Sequence, residues 1–172
     1  MSGKLKQIQV TYDTIQDRIL LRMNTSDQAE FSVWMTRRFV MLAWPALVNL
    51  LSSAADIGVQ STPEAKKAVL AFQHESAIEK ADFSKKYEED AVNWPLGKEP
   101  MLIMAMDIRR LGPDQHSFSF RPADGRQFQI TLSRSTIHSL CKLVQDAARK
   151  ADWGLKLEFL DAPPPEARPV LQ

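Results

Sequence analysis

The chain has 172 residues, 44% of them apolar and 25% charged, with a formal net charge of +1. Such a chain can bury a full core without crosslinks, and its single cysteine, Cys141, excludes an internal disulfide framework. The near-zero charge argues against a diffuse electrostatic binder of duplex nucleic acid and leaves room only for a local basic patch.

The N-terminal residues run straight into a strand-like alternation, without an apolar core of signal-peptide length. The longest apolar stretch, 39–51, contains Pro45 and Asn49 and is too short to span a bilayer. A cytoplasmic protein with no membrane partner is expected.

Taken in chain order, Ile8, Val10 and Tyr12 alternate with Gln7, Gln9 and Thr11, the period of a half-buried strand. A turn over 13–17 leads to a second strand with Ile19, Leu21 and Met23 inward. A turn at Thr25-Ser26-Asp27 leads to a third with Phe31, Val33 and Met35 inward. The period then changes to 3.6. Thr36 is a candidate N-cap, and Val40, Ala43, Trp44, Leu47, Leu50 and Leu51 share one helical face. Pro45 either kinks this helix or begins it, and Gly58 reads as a left-handed C-cap.

Ser61-Thr62-Pro63-Glu64 predicts a helix start, with Ala65, Ala68, Val69, Phe72 and Ser76 as its weakly apolar face up to about Ala81. Residues 83–100 are polar and irregular and read as a long connection or flap, the charged run 85–90 as a solvated loop. From Met101 the strand pattern returns. Met104, Met106 and Ile108 alternate with Ile103, Ala105 and Asp107; Phe118 and Phe120 follow. Asp124-Gly125 is a hairpin-turn dipeptide, and Phe128, Ile130 and Leu132 complete a third strand. Ser133 caps a helix bearing Ile137, Leu140, Cys141, Val144, Ala147 and Ala148. Leu155, Leu157 and Phe159 alternate as a closing strand, and the Pro-rich tail 161–172 is expected to be extended and flexible.

The second unit repeats the first. An offset of 97 pairs Asp27 with Asp124, Phe31 with Phe128, Val33 with Ile130, Thr36 with Ser133 and Arg37 with Arg134. The sequence therefore predicts an α+β protein made of tandem duplicated βββα repeats with antiparallel sheets and one extra helix between them. The divisions are 1–60, a connecting helix and loop 61–100, 101–160 with the closing strand, and the tail 161–172. Each helix covers its own sheet, or the two repeats share one core.

Phosphate-loop, dinucleotide and zinc-finger motifs are absent. His138 and Cys141 lie three apart on a helix without further ligands, and Cys141 falls on the apolar face, so neither a metal site nor a Cys–His nucleophile is expected. No cofactor is implied, and the expected class is a non-enzymatic binding module. Its candidate single-stranded nucleic-acid contacts are Arg22, Trp34, Arg37, Arg38, Arg121 and Arg134. The tryptophan would stack on bases and the arginines would meet phosphates. The alternative is a protein-interaction or homo-oligomeric assembly module with Trp34, Leu20 and the Pro-rich tail as contacts. For Arg37 and Arg134, surface ion pairing is the simpler expectation.

Residues 17–27, reading Asp-Arg-Ile-Leu-Leu-Arg-Met-Asn-Thr-Ser-Asp, and 34–39, reading Trp-Met-Thr-Arg-Arg-Phe, resemble an uncharacterised bacterial protein family over nearly the whole chain. That resemblance implies no activity and no site residues. The order of elements is similar in topology to the Whirly and PUR-type fold, whose open sheet faces bind single-stranded DNA or RNA. The chain departs from it in having three strands per repeat rather than four, in lacking the Lys-Gly-Lys signature, and in the helix after Pro63.

Overall fold

The computed structural model describes residues 3–159. Strands β1 (Leu5–Asp13), β2 (Arg18–Thr25) and β3 (Glu30–Met35) form a meander. Helices α1 (Arg37–Ser52), α2 (Ala55–Gly58) and α3 (Pro63–Lys80) follow. A second meander, β4 (Met101–Arg110), β5 (Gln115–Pro122) and β6 (Phe128–Ser133), leads into α4 (Arg134–Ala151). The protein is α+β. The two meanders are not separate sheets: β3 and β4 pair in parallel through Val33↔Met101 and Trp34↔Leu102, giving one six-stranded mixed sheet in the order β1-β2-β3-β4-β5-β6. A parallel pair needs a crossover connection, which α1, α2, α3 and the following loop supply.

The two meanders have matching registers. β1 on β2 is bulged between Leu5 and Gln7, and β4 on β5 between Ile103 and Ala105 (103 − 5 = 98). Leu21↔Val33 corresponds to Phe118↔Ile130 (118 − 21 = 97). Gln28 has φ +59° where the second meander has Gly125 at φ +81°.

The second bulge changes one expectation. An extra residue in a strand flips the alternation, so Ile103 is buried while Met104 is 62% exposed. The period-2 reading of Met104, Met106 and Ile108 holds only after the bulge.

The apolar residues form one cluster, from Ile19, Leu21, Phe31 and Val33 to Phe118, Phe128 and Ile137. The sheet curls until Phe31 of β3 stacks on Phe128 of β6, ring centroids 4.9 Å apart. The helices are exchanged between the meanders. α4, which follows β6, lies mainly along β1, and α1, which follows β3, leans on β4. Of the two arrangements left open by the sequence, the shared core is the one observed.

α1 begins at Thr36, whose hydroxyl accepts from the Phe39 amide, and it runs unbroken through Pro45. Proline removes one backbone bond there; burial of Trp44, Leu47, Val48 and Leu51 on the same helix offsets the loss. Gly58 is not a left-handed cap: α1 closes at Ser53, and Gly58 ends the one-turn α2 without a positive φ. Ser133 caps α4 through the Thr136 amide, and Asp152 ends it at φ +51°.

α3 buries Leu70 rather than the expected face, and Phe72 is 71% exposed. The reason is its partner: α3 packs on α4 and presents Gln73 and His74 to it. Residues 153–159 form no strand, yet Trp153, Leu157 and Phe159 are buried. Trp153 donates to Asp17 (2.8 Å), and Phe159 packs on Trp44 and His74. The tail 161–172 lies outside the described residues.

Gln28 is an exposed non-glycine residue in left-handed backbone. Gln28→Gly is expected to leave the fold intact and to raise unfolding stability by up to about 1 kcal/mol, because glycine adopts positive φ without a Cβ penalty. Urea titration of the two proteins measures this.

Candidate functional site

The outer face of the first meander carries Gln7, Gln9, Arg22, Asn24, Glu30, Ser32 and Trp34, as the alternation predicts. It is not open. The connection after α3 crosses it as a polar strap. The Gln7 amide donates to the Lys86 carbonyl (3.0 Å), and Asn24 donates to that of Glu88 (3.1 Å). Lys6 pairs with Glu88 and Asp90 at 2.5 and 2.9 Å. Arg22 pairs with Glu30 at 3.0 Å and Glu89 at 2.9 Å and lies 4.5 Å from the Tyr87 ring centre. The Tyr87 hydroxyl donates to Glu30, and burial beside that carboxylate raises its pKa. The far end of the strap is fixed where the Val92 amide donates to Gln28 O and the Glu30 amide to Asn93 O, both at 2.9 Å. The charged run 85–90 is thus bound to the sheet, not a solvated loop.

The six sequence-derived contacts do not converge. Arg22 is enclosed beneath the strap. Trp34 is half-buried on the same face, with Leu20 and Leu102 as its cross-strand neighbours. Arg121 pairs with Asp107 at 2.9 Å on the second meander. Arg38 is exposed at the start of α1 and forms no salt bridge among the described residues. Arg37 donates to the Trp153 carbonyl beyond the end of α4 (2.9 Å). Arg134 reaches the end of α1, donating to Leu51 O (3.4 Å), Asp56 (3.2 Å) and Gln73. These equivalent arginines tie each helix start to the other helix's end.

The helix exchange creates two grooves, each between a strand of one meander and the helix that follows the other. Between β4 and α1 the groove measures about 410 Å³ and is lined by Arg38, Phe39, Leu42, Ala46, Leu102 and Met104. Between β1 and α4 it is wider, about 940 Å³. Its strand wall is residues 5–10 and its helix wall includes Ser135, Thr136 and Ser139. Its rim, from the end of α3 and the strap, carries Lys80, Phe83, Lys85, Lys86 and Tyr87. Lys80, Lys85 and Lys86 are exposed and form no salt bridge among the described residues. In the sequence Lys85 and Lys86 read as part of a solvated loop, and Lys80 of α3 joins them only when the strap folds back on β1.

A histidine pair lies where α3 meets α4. His74 Nδ1 and His138 Nδ1 are 3.0 Å apart, and the Phe159 ring is 4.3 Å from that of His74. Burial, the neighbouring imidazole and Arg134 hold His138 down to about 4, and burial with Lys142 lowers His74. Burial pushes the Cys141 thiol up, away from nucleophile chemistry. Among the described residues no group of three or more His, Cys, Asp or Glu could hold a metal ion, and no helix is long and apolar enough to cross a membrane.

The fold class is therefore α+β, with a crossed pair of strand–helix grooves. Comparison with known proteins adds no relative: no family model, curated protein or solved structure matches the chain.

The histidine pair generates a pH prediction. A single hydrogen bond between two imidazoles needs at least one neutral ring. Because the folded pKa values lie below the ordinary 6.5, the stabilisation is full above pH 6.5 and is lost as pH falls towards 4. Between pH 7 and 4.5 the wild-type protein should lose about 2 to 3 kcal/mol more than His138→Gln in urea unfolding. Equal losses would show that the pair does not titrate with folding.

Proposed function

We propose that this protein is a non-enzymatic module that binds single-stranded nucleic acid in the groove between β1 and α4. The observation that carries the reading is the lining of that groove. Non-specific single-strand sites combine cations that track the phosphates with aromatic rings on which bases stack. Here Lys80, Lys85 and Lys86 line one side and outnumber Asp82 and Glu89, Phe83 stands among them, and three hydroxyl side chains stand opposite. Phe83 is 44% exposed, which suits stacking. The groove takes the place of the flat sheet face, where Arg22 is already satisfied by Glu30 and Glu89.

We read the two βββα units as a tandem duplication, a finer statement than the α+β class. The constant offsets, the paired bulges and the matching N-caps at Thr36 and Ser133 support it. So does the Phe31–Phe128 stack: residues equivalent under a two-fold relation meet at its axis. On this reading the likeness to the Whirly and PUR-type topology extends to a three-stranded variant with helices exchanged, working in the cytoplasm.

Fluorescence anisotropy with a labelled oligonucleotide tests the proposal. At low ionic strength the protein should bind, and affinity should fall as salt rises. The triple variant Lys80→Ala, Lys85→Ala, Lys86→Ala should bind at least about tenfold more weakly and flatten the salt slope by about 2, the share of three phosphate contacts on a single strand. No binding at low salt, or an unchanged triple variant, would refute the assignment.

A further inference from the structure

The strap carries two kinds of charge. Lys85 and Lys86 form no salt bridge among the described residues, but the three acids that follow are all engaged with the sheet. Glu88 and Asp90 hold Lys6 at 2.5 and 2.9 Å, and Glu89 holds Arg22 at 2.9 Å. The side chains of Glu88 and Glu89 are 55% and 74% exposed, and ion pairs so exposed are weak and screened by salt. No residue from 82 to 95 is buried, so apolar burial adds little to the hold. What lies beneath is polar. Asn24 is fully buried, yet its Oδ1 and the Oδ1 of Asp90 accept no hydrogen bond among the described residues. A buried acceptor left unmet costs stability, so the strap and the face beneath it fit imperfectly. Lys6, Gln7 and Gln9 also line the groove between β1 and α4, which makes the covered face and the groove continuous across β1.

We propose that Glu88, Glu89 and Asp90 are an intramolecular stand-in for phosphates: they close the face that carries Lys6 and Arg22, and a single strand seated in the groove displaces them and extends onto that face. This rests on the reading of the groove as a single-strand site and adds its regulation. A strand already held by Lys80, Lys85 and Lys86 offers its next phosphates at high effective concentration, which lets it compete with a weak tether. Lys6 gains most, because among the described residues its only carboxylate partners belong to the strap. Arg22 keeps Glu30 at 3.0 Å and contributes less. The amides of Gln7, Gln9 and Asn24 supply further donors for a sugar–phosphate backbone. The released acids return to water, and the Asn24 carboxamide is uncovered. Beyond the acids, the Val92 amide stays bonded to Gln28 O, so the strap swings from a fixed far end.

Two measurements test this. The first uses the unaltered chain: hydrogen exchange with and without a saturating single-stranded oligonucleotide at low salt. The Glu88 amide, which donates to Gln7 Oε1, should lose protection on binding, while the Val92 amide keeps its own. The second uses the triple variant Glu88→Gln, Glu89→Gln, Asp90→Asn. It should bind the oligonucleotide at least about tenfold more tightly than a charge-matched control with Glu64→Gln, Glu75→Gln and Glu99→Gln. Those three control acids are exposed and form no salt bridge among the described residues. Lys6→Gln should weaken binding in the strap variant and change it little in the otherwise wild-type protein. Unchanged or increased protection at Glu88, equal affinities of the two triple variants, or an equal cost of Lys6→Gln in both backgrounds would each overturn the inference. Binding that depends on the groove lysines but leaves Glu88 protected would keep the groove and reject the strap's role. No binding at low salt by either the wild type or the strap variant would sink both.

Discussion

The structure depends on one reciprocal exchange: each helix begins with an arginine that ends the other. A cation in the first turn opposes its own helix dipole, and the same cation at a C-terminus is favoured, each effect being about 0.3–1 kcal/mol. Arg37 and Arg134 sit in the unfavourable place and act in the favourable one, on Trp153 O beyond α4 and on Leu51 O in α1. Arg134 adds Asp56 and Gln73, tying α2 and α3 to the same point. With α4 laid along β1, neither meander closes its core with its own helix alone.

That crossing is what makes the grooves. A helix packed directly on its own meander would leave its flanks against strands paired on both sides. Displaced onto the other half, each helix runs beside a strand with one edge that pairs with no other described strand over most of its length. The two grooves differ in their side chains. Where α1 offers Phe39 and Leu42, α4 offers Thr136 and Ser139 at positions 97 further on, so the groove beside α4 is the more polar of the two. The strap reinforces the difference by bringing lysines and aromatic rings to the β1 side only.

Local periodicity made the strands, the caps at Thr36 and Ser133 and the inward faces of both meanders legible in the sequence. Those features depend on burial and on neighbours a few residues away. What was not legible depended on distant partners. Phe72 was expected inward on the strength of helical spacing, but α4 selects the neighbouring face of α3 through His74 and Gln73. The pattern at Leu155, Leu157 and Phe159 is that of a strand; Leu157 and Phe159 are buried and Leu155 is half-buried. They pack on helices without pairing to a strand, a distinction that alternation alone does not encode. The surroundings of the candidate residues were hidden for the same reason. Arg22 looked free because its acids, Glu30 and Glu89, lie 8 and 67 residues away, while the lysines that do line a groove looked like an ordinary charged loop.

Native-state hydrogen exchange tests most directly whether the two halves are one interlocked unit. The exchanged helices and shared core predict that amides of β2, α1, β5 and α4 open together, with a single free energy equal to that of global unfolding. Protection that separates into two levels, one for residues 5–52 and another for 101–151, would contradict the account.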